Sequence, residues 1–369
     1  MDLAIIDKDT RLFVTLIQTY NYVQYIHEYS GIGSFEIKIP TIEESREYLV
    51  FGNYIYFEDG IVGIIKGVKD SEDSDVEITV CGYLVNHILQ YRSFLLTTTY
   101  YATVSNAVRQ MVTDLFISPE DARRAIDFIT LSSDSEYIPS ISGNKTFQNT
   151  GDTLFDYLHE ALVEYDLGFE LYPVVQSTGS GENLQALEFR IITPVDRSIG
   201  NAQSNTPVVF SFDLNNLSRL EYEEDGRVYA STAIVASEGE GQDRKVKEVG
   251  DLVVSGIDRI ELYVDARDLQ ESEEVTEAQL YSLMEQRGLE KLEEHLIFAS
   301  ADGTVITGSM QYRYGTDFKL GDYVSVFSKR LNKVFTFQVT AVKKSLSGGK
   351  EIFDITFGKD RLDVRRLKD

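Results

Sequence analysis

Apolar and polar residues alternate strictly in residues 33–40, where Phe35, Ile37 and Ile39 take every second place against Ser34, Glu36 and Lys38. That period is two, so the run predicts a strand with one face in a core and one in polar surroundings. Residues 54–68 hold two β-rich runs around Glu58-Asp59-Gly60, which predicts a hairpin turned on the glycine. A further strand is expected at 76–82, after the acidic bend at 70–75. The bend lacks the glycine and ligand spacing of a calcium loop and reads as a solvated hairpin tip.

The period then changes. Residues 102–116 place Val104, Ala107, Val108, Met111 and Leu115 on one stripe, and 153–165 do the same with Leu154, Leu158, Ala161, Leu162 and Tyr165; both read as amphipathic helices. Ser118, Pro119 and Asp121 give a helix-start signal for 118–129. Two strand runs, 168–175 and 187–194, flank a flexible segment at 176–183. From about residue 207 strand patterns resume, interrupted by one long helix at 276–296. Thr276 and Gln279 form its capping box, and Leu280, Leu283, Met284, Leu292 and Leu296 its expected buried face. The runs 322–328, 333–344 and 351–359 close the pattern.

Those last strands echo the first. Residues 51–82 and 320–358 both open on an apolar residue, Gly, a polar residue and Tyr, then run strand, turn and strand to Val-Lys, a polar turn and a third strand. Gly52 answers Gly321, Tyr54 answers Tyr323, Val68-Lys69 answers Val342-Lys343, and Ile78-Thr79 answers Ile355-Thr356. The alternative is that any two three-stranded meanders share turn residues and alternation. The echo yields a division into a first β-barrel module at 1–95, an α+β insert at 96–206 and a second β-barrel module at 207–369 carrying the long helix. The fold class expected is mixed β and α+β, with two related small barrels flanking the insert.

Composition narrows the function. The chain has 369 residues, 43% of them hydrophobic, enough for several domains each with a core. Sixty acidic against 35 basic residues give a net charge of −25, which opposes general nucleic-acid binding because such binding needs cations to displace counterions. The charge keeps a large protein soluble, or forms a wall past which DNA slides. Cys81 is the only cysteine, so no intramolecular disulfide forms, and its apolar neighbours predict a buried, inert thiol. No run reaches a membrane span and the N-terminus lacks a signal-peptide pattern.

Candidate chemistry is sparse. The glycine-rich stretch 234–246 resembles a phosphate loop, but Glu238, Glu240 and Asp243 repel an anion and no Gly-Lys-Ser/Thr follows. A turn between strands is the better reading. His27, His87, His159 and His295 are scattered, without a metal or nucleophile signature. Paired carboxylates such as Glu43-Glu44, Glu223-Glu224 and Glu273-Glu274 are expected among so many acids. The expectation is no enzyme, no cofactor, no metal.

Six stretches together resemble the siphophage tail-tip (baseplate) hub family, which also forms the N-terminal part of tail-associated lysins and tail fibres and is similar to the contractile-tail baseplate hub. They are 22–40, 79–92, 235–250, 258–269, 289–295 and 314–326, in order over nearly the whole chain. The resemblance implies a homotrimer in which two modules per chain make a pseudo-sixfold ring on the tail tube. It further implies a distal tail protein, tail tube, fibre or plug proteins and tape measure protein as partners, DNA in transit only, no membrane, and a place in the virion tail tip after synthesis in the host bacterial cytoplasm. In such proteins the Gly239, Gly241 and Arg244 stretch is a recurring turn, with Arg244 or Arg259 expected to pair with Glu238, Glu240 or Asp265 to dock the third domain; Gly321 and Asp322 mark the second barrel's opening turn. Relatives continue into a peptidase, lysin or fibre region, whereas this sequence ends at 361–369, so such activity is expected in another protein. Two other readings stay open: a carbohydrate- or receptor-binding module, suggested by the tyrosines of 20–29, and a cell-wall hydrolase.

Overall fold

The computed structural model describes residues 3–358, apart from 42–43, 71–76, 179–180, 240, 242–243, 271–275, 297 and 306–310. The acidic bend expected at 70–75 lies almost wholly outside the described residues. The chain is mostly β with few helices, and its contacts define two units, Met1–Leu220 with Asp302–Gly358, and Glu221–Ala301. The sequence-defined modules 1–95 and 96–206 both lie in the first unit, with part of 207–369.

The first unit begins with β1 (Leu3–Ile6), β2 (Phe13–Ile17), β3 (Tyr22–Glu28), β4 (Ser34–Ile39), β5 (Tyr54–Phe57), β6 (Ile61–Lys69) and β7 (Ile78–Leu84). Alternation decides their faces: Phe35 is 3% exposed, Ile37 and Ile39 are fully buried, and the β5–β6 turn uses Gly60 at φ +80°. Phe35 and Tyr25 both set their rings edge-on to Phe57, at 5.7 and 5.2 Å. Gly63 and Gly82 make room for Phe35, since a Cβ would come within 2.5 Å of its ring at Gly63 and 2.7 Å at Gly82. The same alternation exposes Cys81, because Val80 and Gly82 on either side point inward. The expected buried thiol is therefore corrected: apolar neighbours in a strand alternate, and Cys81 takes the outer phase.

The middle of this unit holds β8 (Thr98–Ala102), α1 (Val104–Val112), β9 (Ile129–Leu131), β10 (Lys145–Asn149), α2 (Leu154–Ala161), β11 (Gly168–Thr178) and β12 (Gly181–Ile192). Val104, Ala107, Val108, Met111 and Val112 bury one face of α1, while Thr153 caps α2 by accepting from the Asp156 N–H. Both helices share a core with Phe169, Leu171 and Phe189 of the β11–β12 hairpin. The helix expected at 118–129 is instead a single 3₁₀ turn at Ala122–Arg124, capped by Asp121. Few apolar positions back that segment, and Ile129 already starts β9.

After β13 (Asp196–Arg197), β14 (Val209–Ser211) and β15 (Leu217–Asp225), the second unit contributes β16 (Thr232–Ala236), β17 (Val246–Gly250), β18 (Glu261–Asp265) and α3 (Glu277–Glu293). Its sheet has the order β17-β16-β18. The Thr276–Gln279 capping box starts α3 as expected, but the buried face differs. Leu280, Met284 and Leu292 are buried, whereas Leu283 and Leu296 are 41% and 56% exposed. Gly288 lies in the buried stripe, where a Cβ would meet Val235 and Val249 at 2.8 and 3.0 Å. The helix approaches its sheet along 280, 284, 288 and 292, a spacing of four that the leucines alone do not reveal.

The chain ends with β19 (Phe298–Val305), β20 (Tyr323–Ser328), β21 (Lys333–Ser347) and β22 (Lys350–Gly358). Among the described residues fourteen strands form one sheet, whose main path is β15-β19-β22-β21-β3-β4-β7-β6-β5-β1-β2. Among the described residues this path has two ends and does not close on itself. At its centre β3 pairs antiparallel with β21, from Tyr22↔Ser347 to Glu28↔Ala341. This seam joins strands from opposite ends of the chain.

His27 sits on the seam opposite Val342, with Nδ1 buried and without a hydrogen-bond partner. Desolvation lowers its pKa from 6.5 to about 4. The neutral ring is the folded form, so stability is complete above pH 6.5 and declines as pH falls through about 4, the unfolded chain protonating first. Urea unfolding between those pH values should show a steeper loss in the wild type than in His27→Leu; parallel curves would contradict it. A second expectation concerns Phe35: Gly63→Ala should cost roughly 1–3 kcal/mol by overpacking, and Phe35→Leu should restore most of it. Phe35→Leu should not rescue Gly82→Ala, whose Cβ also meets the Ile64 carbonyl oxygen at 1.9 Å.

Candidate assembly surface

Two corners in the first unit share one construction. Gly52 and Gly321 have φ of +93° and +88°, in the left-handed region that glycine tolerates. The Gly52 N–H donates to the Ile65 carbonyl at 3.0 Å while the Ile65 N–H donates to that of Asn53 at 2.9 Å. Gly321 N–H to Val339 carbonyl and Val339 N–H to Asp322 carbonyl repeat the pair at 2.8 and 2.9 Å. Both central strands bulge next to it, between Ile65 and Gly67 in β6 and between Val339 and Ala341 in β21. Strand order matches too: β3-β4-β7-β6-β5 corresponds to β15-β19-β22-β21-β20.

One part of the sequence echo is out of register. Val68 pairs with Val80, and Val342 with Ile355, so Val80-Cys81, not Ile78-Thr79, answers Ile355-Thr356. The slip is two residues, which keeps every side chain on its face and leaves the hydrophobic pattern blind to it.

The polar residue of each corner ties down another segment. Asn53 Oδ1 accepts the Lys8 N–H at 3.1 Å and its Nδ2 donates to the Tyr48 carbonyl at 2.9 Å. Asp322, 3% exposed, accepts from the N–H groups of Val195 and Lys319 and from Arg197 Nε at 3.0 Å. Asn suffices where partners are backbone; the carboxylate matches a guanidinium.

In the second unit, Gly239 and Gly241 have φ of +127° and +58° in the turn between β16 and β17. Glu240, Gln242 and Asp243 lie outside the described residues. Arg244 donates from Nε to the Ser237 carbonyl at 2.7 Å and from Nη2 to Asp265 Oδ1 at 2.9 Å, joining the turn to the end of β18. Arg259 instead bonds Glu261 at 2.6 Å and Glu248 at 2.9 Å. Glu238 uses its backbone N–H toward the Leu269 carbonyl. Each of these contacts lies within the second unit.

Among the described residues, acid–base groups do not converge. His159 stacks on Phe155, His87 lies between Tyr83 and Tyr91, and His295 Nδ1 meets the Lys291 carbonyl oxygen. No group of three or more His, Cys, Asp or Glu positioned to hold a metal occurs among the described residues. Glu170 and Glu188 share one cation, Arg190, and burial raises the Glu170 pKa. Arg190 bonds Glu188 at 2.7 Å, lies 3.9 Å from Glu170 and stacks on Tyr172 and Tyr137, which makes the group an ion-pair clamp. A recess of about 290 Å³ lined by Tyr20, Asn21 and Leu346 to Gly349 contains no carboxylate side chain. Among the described residues no helix is long and apolar enough to cross a membrane.

Sequence reasoning touched Tyr29 only as one of the tyrosines of 20–29, and Phe51 and Lys66 only as members of the 51–82 echo, and gave none of them a role beside the corners. Lys66 Nζ bonds the Tyr91 hydroxyl at 2.5 Å and lies 5.4 Å from the centre of the Phe51 ring.

The family model described as siphovirus ReqiPepy6 Gp37-like protein matches residues 2–359. No curated protein sequence matches the chain. Among solved structures, prophage tail protein gp18 of Listeria monocytogenes EGD-e aligns over 100% of both chains with TM-score 0.58 at 12% identity. The 43 kDa tail protein of prophage MuSo2 from Shewanella oneidensis aligns over 99% of both with TM-score 0.56 at 11% identity. A tail protein from Neisseria meningitidis MC58 aligns over 97% of both with TM-score 0.55 at 14% identity. At such identities the likeness is one of fold.

Arg244→Ala removes a guanidinium that is 18% exposed and bonded to the turn backbone, so it should lower stability by about 2 kcal/mol. Arg259→Ala, whose acidic partners are half exposed, should lower it less. Thermal melting of both variants checks the order.

Proposed function

We propose that this chain, which belongs to the siphovirus ReqiPepy6 Gp37-like family and has the fold of prophage tail proteins, is the hub of a tail tip, three copies forming a pseudo-sixfold ring. The observation that carries this reading is the repeated corner and strand order, joined within one chain by the β3–β21 seam. In this reading the two repeats are the modules of 1–95 and 207–369, parts of a sheet that is open among the described residues and not the closed barrels expected, and 96–206 is an insert on the first. Three chains then supply six like modules, the number that matches a sixfold tube.

The ring joins the tail tube and distal tail protein on one side to fibre or plug proteins on the other, and the tape measure protein and DNA pass through its bore. The net charge of −25 suits such a bore, since acidic walls do not retain DNA. Gly239, Gly241, Arg244, Arg259 and Asp265 shape the second unit, and in this proposal its docking. The hydrolase reading has less support, because Glu170 and Glu188 are engaged by Arg190.

Imaging of the assembled particle, with the chain located by a tag, tests the proposal. Three copies in a ring at the tube's distal end are expected; a different copy number, or density along a fibre or the tube wall, would overturn it.

A further inference from the structure

Resting on the ring reading, we propose that the β6 edge at Gly67–Lys69, with Phe51 as its lip, receives β15 from a second copy of this chain. Within the chain, the corresponding edge of β21 is filled by β3. Three contrasts separate the two edges. Val342 is fully buried opposite His27, whereas its counterpart Val68 is 42% exposed. At the bulge, the Thr340 carbonyl accepts the Tyr29 N–H at 2.8 Å; its counterpart is Lys66, and among the described residues no strand pairs with Gly67–Lys69 except β7.

The third contrast is at the glycines. A Cβ on Gly321 would meet the Tyr29 ring at 2.4 Å, while one on Gly52 would meet only Lys8, at 3.1 Å. Phe51, beside it, is 67% exposed. The first module thus presents the same socket that the second module has filled.

The strand that fills the second module's socket is the first of its repeat, β3, and its counterpart in the other repeat is β15, which ends the sheet path among the described residues. A second copy is therefore the matching occupant. Charge agrees: the receiving edge carries Lys66 and Lys69, and β15 carries Glu221, Glu223, Glu224 and Asp225. The contact is head-to-tail, the kind that closes into a ring, and strand addition supplies its main-chain hydrogen bonds.

Carbodiimide cross-linking of mixed isotopically labelled and unlabelled chains, with sedimentation at rising concentration, tests it. Lys69 should cross-link between copies to the carboxylates of β15. Val68→Lys and Phe51→Lys should each weaken self-association about ten-fold, while Ile257→Lys, at a position 93% exposed in the second unit, should not. The two edge variants keep the inference testable should either fail to fold. A trimer whose cross-links fall elsewhere, and which both edge variants leave intact, overturns this contact while the ring stands. A chain monomeric at every concentration overturns the contact and counts against the ring as well.

Discussion

The antiparallel seam between β3 and β21 is the interaction on which the first unit depends. It pairs residues near 25 with residues near 344, so the two ends of the chain form one sheet only after the whole intervening sequence has been placed. Loop closure over such a separation is slow but its entropic cost grows only logarithmically. The return is a continuous ladder in which Val342 is fully buried and Tyr25 is 1% exposed.

Glycines define how closely the parts of this sheet approach. Phe35 is accommodated by Gly63 and Gly82, and Tyr29 lies between Gly168 and Gly321, where a Cβ at either would meet its ring at 2.4 Å. Large ring against absent side chain is a packing solution that leaves little void. It also makes these positions intolerant of even one added carbon.

The second unit is stabilised differently. A three-stranded sheet backed by one helix buries few large side chains, mostly valine, alanine, leucine and methionine. Ion pairs and backbone-directed guanidiniums line its edges: Arg244 to Asp265, Arg287 to Asp268, Lys247 to Glu285. Most are partly exposed and individually weak. Arg244 differs because its bonds to main-chain carbonyls hold a turn that contains two glycines at positive φ.

The sequence by itself determined what depends on local period and local chemistry. Strand faces in β4, the Gly60 hairpin, the stripe of α1, the capping residue Thr276, and the paired Gly52 and Gly321 corners all follow from neighbours a few residues apart. Tertiary structure decided what depends on phase or on distant partners. Cys81 turned outward because a strand has two faces and apolar neighbours do not say which is buried. The third echo strand slipped by two residues because that shift costs no change of face. Residues 118–129 had a start signal but no apolar face long enough to hold a helix. The β3–β21 seam required pairing across more than three hundred residues, information that no local pattern contains.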